Sequence, residues 1–270
     1  MTGTKAFDGV FTAGWMRRFA ETVAVTEEEL TRLDQAAGDG DFGVNLLTGV
    51  RCALAALDRL PPGRQAAAVP LGAAAGAFLD EVGGTSGPLF GLVLQELAAA
   101  VGAGPLTGPA LARGATAALE AVQRVGEARP GDKTLVDALH PAALALRGCT
   151  PDARPDDCLA AAAAAAAAGV RRTRALRARR GRASYLGERA SGVPDPGAVG
   201  IALLFASAHA VPRTLDGVLV GDGVADTASA DTVPTDTVPT DTASTDTVST
   251  DTAFGGPDPL CGPEPAPAGP

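Results

Sequence analysis

The sequence predicts an all-α protein of about eight helices, followed by a polar tail outside the fold. Three observations predict it. Aromatic residues make up only 4% of the chain, with one Trp and one Tyr, whereas Ala is abundant. Ala and Leu lose little on entering a helix, and the β-branched and aromatic residues that favour strands seldom run together here. Gly- and Pro-rich breaks divide residues 1–212 into segments of helical length. Beyond Arg213 the composition changes: no Lys or Arg follows, but nine Asp and one Glu do.

The helices are expected over Thr12–Val25, Glu27–Leu33, Val44–Leu60, Ala67–Val82, Gly87–Gly102, Gly108–Val125, Leu135–Leu146, Pro155–Arg180 and Pro196–Ala210. Thr26 followed by Glu29 has the spacing of a capping box, which would start a helix at Glu27. Pro61-Pro62-Gly63 stops the helix before it. These elements make one domain over residues 1–212. Residues 213–270 form the tail, where Asp recurs every five residues at 226, 231, 236, 241, 246 and 251. A period of five matches neither a helical nor a strand face. The segment is polar, single-signed and Pro-bearing, so it is expected to be disordered.

The net charge of −9 belongs to that tail. Up to Arg213 the chain carries 22 basic and 21 acidic residues. A near-neutral body lacks the basic stripe of a nucleic-acid surface. Cys52, Cys149, Cys158 and Cys261 show no paired metal spacing and are too few for a disulfide scaffold. Met1–Phe11 lacks the apolar core of a signal peptide. The longest apolar run, Cys158–Val170, is too short to span a bilayer. The expectation is a cytoplasmic protein with no membrane and no nucleic-acid partner.

Four loops between the helices are too rich in Gly, Asp, Ser and Arg to be plain connectors. In Leu33–Asn45, Asp34, Asp39 and Asp41 fall close together among glycines. Like charges held close repel unless a cation sits among them, and hard oxygen ligands suit Mg²⁺. A solvated, helix-capping acidic loop is the competing reading. Asp41-Phe42-Gly43 spells the kinase magnesium motif, but no kinase lysine strand or catalytic loop accompanies it. Nor is Asp39-Gly40-Asp41 the start of a calcium loop, because Gly43 and Val50 stand where ligands are needed.

The second loop, Gly83–Pro88, leads into a helix and offers the Thr85 and Ser86 hydroxyls. A helix N-terminus with close backbone approach suits a phosphate, although glycine loops before helices are common. In the third loop, Gly131–Leu139, Thr134 is a candidate cap and Lys133 reads as a solvated charge. The fourth, from Arg179 to Gly197, holds the sole Tyr and several Arg. Its length suits a lid, and its Arg residues could clamp phosphate. The two histidines, His140 and His209, read as packing residues.

Taken together and in this order, the four blocks resemble the nucleotide-binding L subunit of dihydroxyacetone kinase and the matching domain of single-chain dihydroxyacetone kinases. The resemblance is carried by Asp34 with GDGDFGVN (residues 38–45), GGTSGPLFG (83–91), PGDKT with the following DAL (130–139), GRASYLGER (181–189) and DPGA (195–198). It spans roughly residues 10–212. It implies a barrel of eight antiparallel helices with the nucleotide bound by loops at one end. Asp34, Asp39 and Asp41 would coordinate two Mg²⁺ ions on the phosphates of ADP or ATP. Phe42, Gly43, Val44, Asn45, Thr85, Ser86 and Arg182 would line the phosphate end. Gly126, Leu135, Asp195, Pro196 and Gly197 would form the adenine and ribose pocket, with 181–189 as cover.

Phe42 departs from the family, which usually carries His there, so a polar or stacking contact to the nucleotide is expected to be lost or altered. No side chain is expected to act as a base. The resemblance further implies a separate K subunit that binds dihydroxyacetone through a histidine, without which the chain would not transfer phosphate. In some members a phosphotransferase-system M protein rephosphorylates a retained ADP. Two other functions fit the same motifs: a kinase subunit for another small hydroxyketone or sugar, and a regulatory nucleotide-binding module with weakened catalysis.

Overall fold

The computed structural model describes residues 6–63, 65–181, 184 and 190–220. Among these residues there are helices and no strand. In chain order they are α1 (Gly9–Ala37), α2 (Phe42–Asp58), α3 (Ala68–Glu81), α4 (Ser86–Val101), α5 (Gly108–Gly126), α6 (Val136–Arg147), α7 (Pro155–Thr173), α8 (Pro196–Ala206) and a short α9 (Asp216–Leu219). The all-α class is as expected. Residues 221–270, which carry the Asp repeat, lie outside the described residues.

The largest differences from the sequence reading are in α1 and α7; α8 also ends four residues early, at Ala206, and α9 is additional. α1 runs unbroken for 29 residues through Thr26. Thr26 is buried, and its Oγ1 donates to the Thr22 carbonyl at 2.8 Å instead of capping a new helix. Phe19, Val23 and Leu30 form one buried stripe across that point. Burying each such side chain contributes about 1.5–3 kcal/mol, more than the ~1 kcal/mol of a cap. α7 stops at Thr173, well before Arg180. There the Thr173 carbonyl accepts from Lys133 Nζ at 2.8 Å, a partner the periodicity cannot reveal.

Consecutive helices pack on one another, and α8 packs back on α1. Trp15 Nε1 donates to the Leu204 carbonyl at 2.7 Å. The Arg18 guanidinium donates to the carbonyls of Ser207 and Ala208 at 2.8 and 2.7 Å. These bonds satisfy carbonyls that the end of α8 leaves without helical partners. α8 is apolar on every side and buried almost throughout, as a helix inside a core must be. α9 packs against α7 and α8, with Leu215 and Val218 buried. The Leu215 N–H donates to Glu29 Oε2 at 3.1 Å. The packed body therefore continues past the expected boundary at residue 212.

An aromatic group anchors the core. Phe90 has the rings of Phe19, Phe42 and Phe78 at 6.4, 6.3 and 6.1 Å. Gly200 of α8 faces it: a Cβ there would stand 2.7 Å from Phe90 Cζ and 2.9 Å from Phe42 Cζ. No described helix is long and apolar enough to cross a membrane.

Short connections between packed neighbours alternate between the two ends of a bundle. The α1–α2, α3–α4, α5–α6 and α7–α8 connections thus share one end, and these are the four motif loops. At the other end the Gly9 N–H donates to the Gln65 carbonyl at 2.9 Å, and Leu106 N–H to that of Phe7 at 2.7 Å.

Candidate nucleotide and metal site

The acidic loop closes around Asp34. This residue sits in the last turn of α1, and its backbone carbonyl accepts the Gly38 N–H at 2.5 Å. Its carboxylate is buried, and Oδ2 accepts the Phe42 N–H at 3.0 Å. One residue thus meets the end of α1 through its backbone and the start of α2 through its side chain. Gly38 must lack a side chain, since a Cβ would collide with Asp34 Oδ1. Gly40 turns the chain back at φ +84°, a conformation glycine adopts without penalty. Asp39 and Asp41 are exposed, and one carboxylate oxygen from each of Asp34, Asp39 and Asp41 lies within 4.8 Å of the others. Three hard anionic oxygens at that separation fit a small divalent cation such as Mg²⁺.

The start of α2 supplies backbone donors beside these carboxylates. The first N–H groups of a helix lack intrahelical partners, and those of Gly43 and Val44 occupy this position. Gly43 has a packing duty as well, because a Cβ there would strike Thr31 Oγ1 and stand 2.7 Å from the Glu27 carbonyl. Val44 is exposed. Asn45 reaches toward the second loop: its Nδ2 lies 3.6 Å from where a Gly84 Cβ would be. Thr85 precedes α4 and is exposed, Ser86 opens that helix, and neither makes a side-chain cap bond.

Phe42 requires a correction. Its ring is only 4% exposed and points into the core against Phe90 and Gly200. The side chain therefore makes no surface for a nucleotide, and the expected change of a contact at this position does not arise from the ring. The physical reason is helical: as the first residue of α2 it faces α4 and α8, where apolar volume is needed. What Phe42 gives the loop is its N–H, held by Asp34.

The third and fourth loops meet on the same side. Gly126 ends α5, followed by Glu127 in the left-handed region at φ +47°. Leu135 and Gly197 are in contact range, with a Gly197 Cβ 3.2 Å from Leu135 Cβ. Asp195 caps α8 by accepting the Ala198 N–H at 2.7 Å, with Pro196 in the first turn. Burial pushes the Asp195 carboxyl up to about 7, Asp137 and Asp34 push the same way, and the Ala198 N–H and Lys133 oppose. The influence of Asp34 on Asp195 brings the start of α8 into electrostatic reach of the acidic loop. Arg182 and most of the expected cover, 181–189, lie outside the described residues.

Sequence reasoning missed the charged residues beneath the pocket. Lys133 is no solvated charge: it is 1% exposed, and Nζ donates to the carbonyls of Thr173 and Val193 at 2.8 and 2.6 Å. Asp137 accepts from the N–H groups of Gly131 and Thr134 at 2.5 and 2.8 Å, while Thr134 Oγ1 accepts from Val136. The Thr134/Asp137 pair is a capping box in all but its acid, so the spacing was legible. The burial of Lys133 was not. A cavity of about 420 Å³ lies at the other end, lined by Gly9, Arg17, Leu57 and Pro61 among others, away from all four loops. His209 lies there too, with Nδ1 3.9 Å from Asp156.

The fold and site define an all-helical domain whose motif loops gather at one end around three aspartates. A sequence model described as the DAK2 domain matches residues 36–210. The chain is 34% identical over 209 residues to the PEP-dependent dihydroxyacetone kinase 1, ADP-binding subunit DhaL, of Listeria innocua, covering 77% of this chain and 98% of that one. The chain belongs to the DAK2 domain family. It is also 41% identical over 187 residues to the D-erythrulose kinase of Mycolicibacterium smegmatis, covering 68% of this chain but 32% of that one. Among solved structures, the dihydroxyacetone kinase from C. freundii in complex with AMP-PNP and Mg²⁺ aligns with a TM-score of 0.55 and 27% identity, over 75% of this chain and 34% of that one. The chain therefore spans nearly all of the ADP-binding subunit and about a third of the longer kinases.

Proposed function

We propose that this chain is the ADP- or ATP-binding, Mg²⁺-dependent subunit of a dihydroxyacetone kinase, passing the terminal phosphoryl group to dihydroxyacetone held on a separate K subunit in the cytoplasm. The observation that carries this reading is the convergence of the Asp34, Asp39 and Asp41 oxygens within 4.8 Å, at the end where α2, α4 and α8 begin. Phosphoryl transfer asks a protein mainly for position and charge neutralisation. Asp34, Asp39 and Asp41 would hold two Mg²⁺ ions, which when bound offset the phosphate charge. The N–H groups of Gly43 and Val44, with Asn45, Thr85 and Ser86, orient the phosphates. Gly126, Leu135, Asp195, Pro196 and Gly197 receive the nucleoside, and Arg182 belongs to the cover. No histidine of the described site serves as a base.

Titration calorimetry of the purified chain with ADP and ATP, with and without EDTA, tests binding. Adding a dihydroxyacetone-binding K subunit tests transfer. The expected result is metal-dependent binding by the chain alone and transfer only in the mixture; transfer by the chain alone overturns the two-subunit reading. Mass spectrometry of the native protein distinguishes a retained ADP, rephosphorylated by an M protein, from an exchanging ATP.

A second reading has its own support. Identity to the D-erythrulose kinase and to the L-erythrulose 1-kinase of Mycolicibacterium smegmatis, 41% and 38%, exceeds the 34% to the Listeria subunit. On this reading the acceptor is a four-carbon hydroxyketone. Comparing dihydroxyacetone with both erythruloses in the same mixture decides between them.

A further inference from the structure

Lys133 stands out among groups to which the proposed function gives no task. It is a non-glycine residue in the left-handed region, at φ +62°. Such a conformation is strained and persists only where surroundings enforce it. Its side chain is buried, with 1% of the residue exposed, and both its bonds go to backbone carbonyls of other segments. Burial lowers the ammonium pKa, whereas Asp195 and Asp137 raise it.

The two carbonyls identify what is tied. Thr173 ends α7, and its Oγ1 accepts the Asp195 N–H at 2.9 Å. Val193 lies two residues before Asp195, on the stretch that returns from the cover to α8. The Gly192 N–H on that stretch donates to the Arg174 carbonyl at 3.0 Å. From the other side, Arg179 N–H donates to the Asp132 carbonyl at 3.0 Å. Lys133 thus links the α5–α6 loop to both stems of the long α7–α8 connection. Leu135, two residues after Lys133, and Gly197, two residues after Asp195, are in contact range.

We propose that Lys133 is a positioning residue for nucleotide binding: its buried ammonium pins Val193 and Thr173 to the α5–α6 loop and so fixes the Asp195 cap at the start of α8. The proposal rests on the function proposed above. Lys133 acts through these carbonyls and not on the ligand: it holds Asp195, Pro196 and Gly197 at the start of α8 in place.

The test uses the full chain and a fluorescent ADP analogue with Mg²⁺, following release by stopped flow, alongside Mn²⁺ binding without nucleotide by EPR. Lys133→Met keeps the length and removes the charge. It is expected to speed release at least tenfold while Mn²⁺ affinity stays within twofold of wild type. Lys133→Arg keeps the charge and is expected to recover part of the loss. Unchanged release in Lys133→Met overturns the proposal, and so does an equal loss of Mn²⁺ binding, which would mark a general structural role. If Lys133→Met does not fold, Lys133→Arg decides alone: release about threefold or more faster than wild type, with normal Mn²⁺ binding, supports the pin, and wild-type release overturns it. Failure of the wild-type chain to bind the analogue overturns the functional reading, and is distinguished by its not depending on any variant.

Discussion

The Asp34 carboxylate accepts the Phe42 backbone N–H at 3.0 Å, so a single buried side chain joins the end of α1 to the start of α2. The bond sets the Asp34 oxygen where the exposed carboxylates of Asp39 and Asp41 can approach it. It also separates the roles of the three aspartates. Asp34 is buried and bonded to the backbone, whereas Asp39 and Asp41 are exposed on the solvent side of the candidate site.

That division predicts different mutant behaviour. Asp39→Ala and Asp41→Ala alter exposed side chains and are expected to lower the apo thermal midpoint less than Asp34→Ala does. They are expected to lose the Mg²⁺-dependent stabilisation by ADP, about 2.7 kcal/mol at a hundredfold excess over Kd. Asp34→Ala also strands the Phe42 N–H, which costs the apo chain about 1–3 kcal/mol. Thermal scans with and without EDTA check both effects. Equal apo stability in all three variants would remove the distinction.

Placing at position 42 the His that the resemblance implies is not expected to raise activity. Phe42→His would place an imidazole against Phe90 and Gly200, where no polar partner is seen among the described contacts, at a cost of about 1–3 kcal/mol. Gly200→Ala presses on the same two rings and is expected to cost about 1–3 kcal/mol by overpacking. Urea titration measures both. A gain in transfer rate for Phe42→His without loss of stability would contradict the burial argument.

Asp195 predicts a pH dependence with a definite sign. Its folded carboxyl is pushed up to about 7 from 3.8, so the folded chain binds this proton more tightly than the unfolded chain. The resulting stabilisation is complete below about 3.8 and is lost as pH rises through about 7. Asp195→Asn keeps an acceptor for the Ala198 N–H and cannot titrate. Its urea midpoint is expected to fall less between pH 5 and 8 than that of the wild type. Parallel slopes would show that Asp195 does not govern this window.

The C-terminal boundary can be tested by truncation. A chain ending at Val220 is expected to match the full chain in stability and nucleotide affinity. One ending at Pro212 loses Leu215 and Val218, each worth about 1.5–3 kcal/mol of burial, and the Leu215 bond to Glu29. Circular dichroism during denaturation separates the two, and identical midpoints would mean that α9 adds nothing.

The helical class, many of the helix boundaries and the four motif loops between helices were legible in the sequence alone. Local physics writes these into local pattern. Apolar spacing marks a helix, Gly and Pro mark its ends, and Asp34, Asp39 and Asp41 lie within one short stretch. Tertiary structure decided what depends on neighbours distant in the chain. The stripe through Thr26 overrode a capping signal because its burial is worth more than a cap. Phe42 turned inward because α4 and α8 needed its volume, although it sits between an aspartate and a glycine of the site. Lys133 went into the interior because two carbonyls, 40 and 60 residues away, could replace the water it gave up. A charge is read as exposed from sequence alone, since nothing nearby in the chain announces the partners that let it be buried.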